Sequence, residues 1–381
     1  MREGKRLVEG VESMVVKPDM DARAFFTPER FAQEQGKRMA PRRGRLLIAS
    51  CSSATRLASS VVKRYRELLS ECRSEEGVLS LYDVDFRFEN SETCVRLGRH
   101  VGGYDVFLLQ SLVDPISGAD VDHNYMAFLI AARTFREHGA HHVTAVLPYL
   151  AYSRQDKPTE FEREPTTARL MADLAIAAGI DRVIAWHPHC GQIHGFYGDV
   201  PVTFLSALSL FAEVYRRFEG REDVIAVAPD AGASNFVLHF CRALKLTGAI
   251  ASKFRPSPGK SVITQIVGDF SGKKVAIILD DELSTAGTVY ALAQNLHEAY
   301  GIEEIHCAMS HNRCLPEARE RLTHLHEKYG LRQVIVTDSI PQTQAFLELP
   351  FLSVEPLSEV LSRTINRIHY DRSVSEVFLE S

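Results

Sequence analysis

At 381 residues the chain is long enough for two ordinary domains, each with its own core. A composition of 45% hydrophobic and 24% charged residues, with a formal charge of −5, is that of a soluble globular protein. The slightly acidic total argues against bulk nucleic-acid binding but leaves room for a local cationic phosphate pocket.

Residues 1–44 mix charges of both signs without periodicity and end in the basic cluster Lys37, Arg38, Arg42 and Arg43. They read as a loosely ordered or surface-lying extension, with a regulatory or assembly role as the other reading. The opening MREGKRLVEGVES lacks the apolar core of a signal peptide. No apolar run approaches the roughly 18 residues of a membrane helix. The seven cysteines are scattered without a C-x-x-C pair, so neither a disulfide framework nor a structural zinc site is indicated, and reduced thiols in a cytoplasm are expected.

From Arg45 onward, short branched apolar runs alternate with helix-like stretches. Strands are expected over 45–50, 79–84, 105–110, 142–147, 182–186, 224–228, 247–251, 275–279, 304–309 and 333–337. Helices are expected over 54–71, 124–138, 166–178, 233–244, 287–300 and 315–328. This alternation predicts an α/β chain with mainly parallel sheets. The pattern runs twice, with a break near 198–206 where Gly198, Asp199 and Pro201 cluster. Two similar domains, 45–203 and 204–381, are the expectation. Ligands of such sheets bind at the carboxyl ends of strands, and every chemistry-bearing segment falls there.

Taken in chain order, Phe88 to Val95 (FENSETCV) is by itself an unremarkable turn into a strand. After the strand 142–147 comes PYLAYSRQDK, in which Arg154 and Lys157 offer a fork and a point charge for polyphosphate, or equally RQDK is a salt-bridged surface loop. After 182–186, His187 and His189 fit either a metal-ligand pair or solvated histidines. Asp230 and Gly232 follow the strand 224–228. Lys253 and Arg255 open a loop rich in Pro, Gly and Ser, which residue types alone also allow as a mobile basic surface loop. The most informative run is VAIILDDELSTAGTV at 275–289. Asp280 and Asp281 end a buried strand and offer acceptors for sugar hydroxyls. Ser284, Thr285, Ala286, Gly287 and Thr288 form a small-residue loop at a helix start, suited to a phosphate.

That last run resembles the phosphoribosyl-pyrophosphate loop of type I phosphoribosyltransferases and ribose-phosphate pyrophosphokinases. PYLAYSRQDK is similar to the ATP-binding segment of the pyrophosphokinases, a feature the transferases lack. The order and spacing of five segments, from residue 45 to the carboxyl end, identify the chain as resembling the ribose-phosphate pyrophosphokinase (phosphoribosyl pyrophosphate synthetase) family. The resemblance implies two tandem type I phosphoribosyltransferase-like domains. It also implies a transferase of nucleotide biosynthesis, a ribose-phosphate diphosphokinase that moves the pyrophosphoryl group of ATP to the anomeric hydroxyl of ribose 5-phosphate. Phe88, Asn90, Glu92, Arg154, Gln155, Asp156 and Lys157 would then bind ATP, the first three reaching across a subunit boundary. Asp280, Asp281 and Ser284 to Thr288 would bind ribose 5-phosphate. Lys253, Arg255 and His189 would be catalytic, with His189 and Asp230, and His187 as a further candidate, serving Mg²⁺ or Mn²⁺. A dimer-based homo-oligomer, with a hexamer as one form, is implied, and neither nucleic acid nor membrane as a partner. Ser373, Ser375 and Phe378 match the family's regulatory phosphate or nucleotide site.

Four positions depart from the family pattern. His187 and Ser284 stand where aspartates are usual, and Asn235 and Phe236 where a basic pair is usual. These departures keep open a catalytically silent associate of an active homologue and a pyrophosphokinase with a different sugar-phosphate acceptor. A phosphoribosyltransferase acting on a base fits less well, because that chemistry needs no ATP segment.

Overall fold

The computed structural model describes residues 27–35, 42–74, 76–257 and 260–377. Most of the 1–44 extension lies outside them, with one short helix described within it, α1 (Pro28–Gln35). The chain then runs β1 (Arg45–Ser50), α2 (Thr55–Glu71), β2 (Leu79–Leu81), β3 (Asp85–Arg87), β4 (Thr93–Val95), β5 (Tyr104–Leu109), α3 (Val121–Glu137), β6 (His142–Leu147), α4 (Thr167–Ala178), β7 (Arg182–Trp186) and β8 (Val202–Leu205). It continues with α5 (Leu208–Val214), β9 (Val224–Ala228), α6 (Ser234–Leu244), β10 (Thr247–Ser257), β11 (Lys260–Val267), β12 (Val275–Leu283), α7 (Gly287–Tyr300), β13 (Glu304–Asn312), α8 (Pro316–Lys328), β14 (Leu331–Thr337), α9 (Gln344–Leu347), β15 (Leu352–Glu355) and α10 (Ser358–His369).

Two large sheets result. The first has the order β2-β1-β5-β6-β7-β8 and every pairing in it is parallel. The second has the order β11-β10-β9-β12-β13-β14-β15, parallel except for the β10–β11 hairpin. A two-stranded antiparallel ribbon, β3–β4, stands apart. The expected α/β architecture with mainly parallel sheets is thus the one observed. The central strands are buried along their whole length because helices cover both faces: β5 (YDVFLL), apolar but for Asp105, and β9 (VIAVA) are buried at every position.

Three clusters make up the core. One lies under α3 and α4 against the first sheet, and another under α7 and α8 against the second. The third joins both sheets: Ile48, Phe107 and Trp186 share it with Ala226 and Ile277, and with Leu361 and Ile365 of α10. The last helix therefore packs on the first half of the chain. Ser362 donates to the Val61 carbonyl at 2.9 Å, Asn366 Nδ2 donates to the Tyr65 hydroxyl at 2.9 Å, and His369 Nδ1 meets Asp105 Oδ2 of β5 at 2.8 Å.

Candidate active site

The carboxyl ends of β6, β7, β9 and β12 carry the side chains singled out above. At the end of β12, Asp281 Oδ2 accepts a 2.6 Å hydrogen bond from His189 Nδ1, which follows β7. Burial pushes the Asp281 carboxyl upward, but the His189 hydrogen bond and charge, the Asp280 hydrogen bond and the charge of Arg154 together outweigh it and hold the group below the usual carboxylate range. The same contact raises the His189 imidazole. Asp280 behaves oppositely: burial first, then the charge of Asp281, push it well above the usual range. Its Oδ1 accepts from the Asp281 N–H at 2.9 Å. Of the two adjacent carboxyls, Asp281 is the ionised one and Asp280 the one that keeps a proton more readily.

Asp230, after β9, lies near enough for its charge to act on Asp280, and its Oδ1 accepts from the Ala233 N–H at 3.2 Å. From the segment after β6, Arg154 Nε lies 3.3 Å from Glu282 Oε2. Burial lowers the Arg154 guanidinium, but Glu282, Asp281 and Asp280 more than offset that and leave it raised. Asp156 accepts from the Cys190 thiol at 3.1 Å. Gln155 anchors its segment through its backbone, bonding Tyr152 O at 2.9 Å and the Ala168 N–H at 3.1 Å. Lys157 is exposed.

The loop Ser284–Thr288 leads into α7. Ala286 takes a left-handed backbone (φ +59°) and is buried, so a small side chain is required there. The residue at the start of α7, Ala286, has no side chain that could cap it. Arg321 of α8 braces the loop by donating to the Thr285 carbonyl at 2.6 Å.

Not every expected residue joins this cluster. His187 has a positive φ of 38° and turns toward β13, where Nδ1 meets the Ser310 hydroxyl. Its ring lies 4.5 Å from that of Phe236, and burial, then His311, lowers its pKa to about 4. Two departures from the family pattern, His187 and Phe236, thus touch each other. Phe88, Asn90 and Glu92 form the tip of the β3–β4 ribbon. Asn90 and Glu92 bond each other, and Phe88 is half exposed with an edge-to-face contact to Phe86. Lys253 and Arg255 have backbones in β10, paired with β11; their side chains lie outside the described residues. Ser373 and Ser375 border a cleft of about 600 Å³ with Arg182, Thr203 and Arg372, and Phe378 lies outside the described residues.

The sequence reading missed the residues that hold this cluster together. Glu282 is buried, and Tyr149 donates to its Oε2 at 3.1 Å. His311 packs edge-on against Tyr149 at 4.9 Å, and its ring nitrogens meet Ser339 Oγ at 2.8 Å and the His187 carbonyl at 3.1 Å. The available signal was the third acid of LDDEL: in a strand, Asp280 and Glu282 lie on one face.

Among the described residues, no three His, Cys, Asp or Glu side chains stand together as a metal cage. Imidazole is a poor partner for Mg²⁺, so a hydrated Mg²⁺ there would rest on the carboxylates and on substrate phosphates.

Comparison with known proteins gives consistent matches. The family described as the N-terminal domain of ribose phosphate pyrophosphokinase matches residues 46–179, and the phosphoribosyl synthetase-associated domain matches 244–379. The ribose-phosphate pyrophosphokinase of Clostridium acetobutylicum is 36% identical over 297 residues, 77% of this chain and 88% of that protein. That of Caldanaerobacter subterraneus is 33% identical over 87% of this chain and 98% of its own length. That of Rhodopirellula baltica is 38% identical over 77% and 89%. The crystal structure of phosphoribosylpyrophosphate synthetase from Mycobacterium smegmatis superposes with a TM-score of 0.73 at 30% identity, covering 86% of this chain and 99% of that one.

Proposed function

Because the chain belongs to the ribose-phosphate pyrophosphokinase family, we propose that ATP and ribose 5-phosphate meet at the strand ends around Asp281 and His189. The protein is an enzyme that transfers the pyrophosphoryl group of ATP to ribose 5-phosphate. The anomeric oxygen attacks the β-phosphorus, the bond to the α-phosphate breaks, and AMP and 5-phosphoribosyl 1-pyrophosphate result. The observation that carries the site assignment is the 2.6 Å contact between His189 and Asp281, which joins the ends of two different sheets.

In our reading, Asp280 and Asp281 bind the ribose hydroxyls, and Ser284, Thr285, Ala286, Gly287 and Thr288 bind the 5-phosphate. The adjacent carboxyls, Asp280 shifted upward and Asp281 downward, offer polar partners to a diol. Support for the phosphate role is the helix start that follows the small, left-handed Ala286. Arg154, Gln155, Asp156 and Lys157 bind ATP. With Asp281 accepting from Nδ1, His189 keeps Nε2 for the metal side, and Asp230 faces the same region. A divalent cation, Mg²⁺ by preference, neutralises phosphate charge when bound there. Lys253 and Arg255 act on charge developing in the transition state.

The half-exposed Phe88 at the tip of its ribbon favours a homo-oligomer in which the tip completes a neighbour's ATP site. The two halves, about 45–203 and 204–381, act as the paired units that face each other across the site. Ser373 and Ser375 belong to a regulatory phosphate site. None of the seven cysteines is in a disulfide, which suits work in a reducing cytoplasm, and no helix among the described residues is long and apolar enough to cross a membrane.

The test is AMP release from ATP by the purified protein, with and without ribose 5-phosphate, in Mg²⁺ and in Mn²⁺. Sugar-dependent AMP with an equal yield of pyrophosphorylated sugar is expected. Protein that binds ATP yet releases no AMP in either metal would overturn the reading.

A further inference from the structure

Glu282 is a buried carboxylate between the two substrate segments, and no role in binding ATP or the sugar phosphate has been given to it. Its side chain is 1% exposed. Oε2 accepts from the Tyr149 hydroxyl at 3.1 Å and lies 3.3 Å from Arg154 Nε. Oε1 lies 3.9 Å from Arg313, from the chain just beyond β13, and accepts no hydrogen bond among the described residues. Tyr149 and Arg154 come from the segment after β6 in the first sheet. Glu282 and Arg313 come from the second.

A charge buried this deeply is costly unless it is paired, and a packing residue at the same place would avoid that cost. What the carboxylate gains is a hold on Arg154. It engages the Nε edge, and the Arg154 side chain remains 45% exposed. The two terminal nitrogens are thereby left as a fork for phosphate oxygens. A long side chain fixed in this way loses less freedom when the ligand arrives. Glu282 also sits on β12 directly after Asp281 and two residues before Ser284, so one strand end orders both substrate segments.

We propose that Glu282 is a positioning residue: it aims Arg154 at the ATP phosphates and couples that aim to the ribose-phosphate loop, so each substrate tightens the other. This rests on the reading that the 148–157 segment binds ATP. Sensitivity to the sugar at the nucleotide site would follow from the shared carboxylate, since binding couplings are reciprocal.

The experiment uses the full-length protein and α,β-methylene-ATP, whose carbon bridge prevents release of AMP. Its affinity is measured by calorimetry with and without ribose 5-phosphate, for wild type, Glu282→Gln, Glu282→Asp, Arg154→Ala and the Glu282→Gln/Arg154→Ala pair. Glu282→Gln is expected to weaken the analogue about tenfold, the scale of one charge-assisted contact, and to erase the gain from ribose 5-phosphate. Glu282→Asp, which keeps the charge, recovers part of both, and the double variant binds no more weakly than Arg154→Ala alone. Wild-type affinity in Glu282→Gln, with or without a lower Tm, would overturn the proposal, as would additive losses in the pair. Failure of the reaction assignment shows separately, as wild-type protein that binds the analogue but makes no AMP from ATP.

Discussion

Asp280 and Asp281 are neighbours in one strand, yet their surroundings drive their protonation apart. The split follows from position: Asp281 meets the His189 imidazole, whereas Asp280 is buried beside a charge of its own sign. Replacing Asp281 with Asn is expected to raise the KM for ribose 5-phosphate about tenfold while the KM for ATP stays within about twofold. Steady-state kinetics with each substrate varied in turn decides this, and an unchanged sugar-phosphate KM would sink the assignment. At this scale residue type and spacing sufficed to single out side chains that the fold brings near one another, His189, Asp230 and the acids of LDDELSTAGT. The sequence was illegible where a residue matters through a partner distant in the chain. Glu282 gains meaning only from Tyr149 and Arg154, more than a hundred positions earlier. His187 gains its meaning from Phe236 and Ser310.

Among the elements, the loop into α7 has the strictest backbone requirement. Ala286 at φ +59° is buried, and a β-branched residue is strongly disfavoured in that conformation. Ala286→Val is expected to lower stability by about 1–3 kcal/mol and to raise the KM for ribose 5-phosphate by more than the KM for ATP. Thermal melts together with kinetics test both halves of that statement. The entry to α10 makes a second case. Asp338 accepts from the Leu357 N–H at 2.7 Å, and burial raises its carboxyl to about 6. The folded state therefore holds the proton more tightly than the unfolded chain, whose Asp titrates near about 3.9. Between about pH 4 and pH 6 this group's contribution to stability falls as pH rises, and it is constant above. Asp338→Asn is expected to remove that decline, seen as the difference between denaturation curves of the two proteins across the interval. Equal slopes for both would refute it. The long parallel strands were legible because continuous burial leaves continuous apolar runs. The segments missed lack that mark: β8 and β15 are short edge strands, and α10 buries Ser362, Thr364, Asn366, Arg367 and His369, which dilute its helical pattern.

For the molecule as a whole, the shared core under α10 makes the two halves interdependent. Truncating Ile365 to Ala removes a fully buried side chain from the cluster that joins both sheets. A loss of about 2–5 kcal/mol is expected, with one cooperative transition retained in chemical denaturation. Two separated transitions in the variant would show that the halves are stabilised independently. Sequence reading found the two-fold repetition of strands and helices but could not reveal this join, which depends on residues about 300 positions apart, such as Val61 and Ser362 at a separation of 301. That separation has a bearing on how the chain is made. Translation at about 5–20 residues per second puts about 15–60 s between completion of α2 and completion of α10. Throughout that interval the side of α2 destined for α10 has no partner, so the nascent first half stays incomplete on the ribosome. Its final packing is a late event, and the newborn chain needs shelter for that face until α10 emerges.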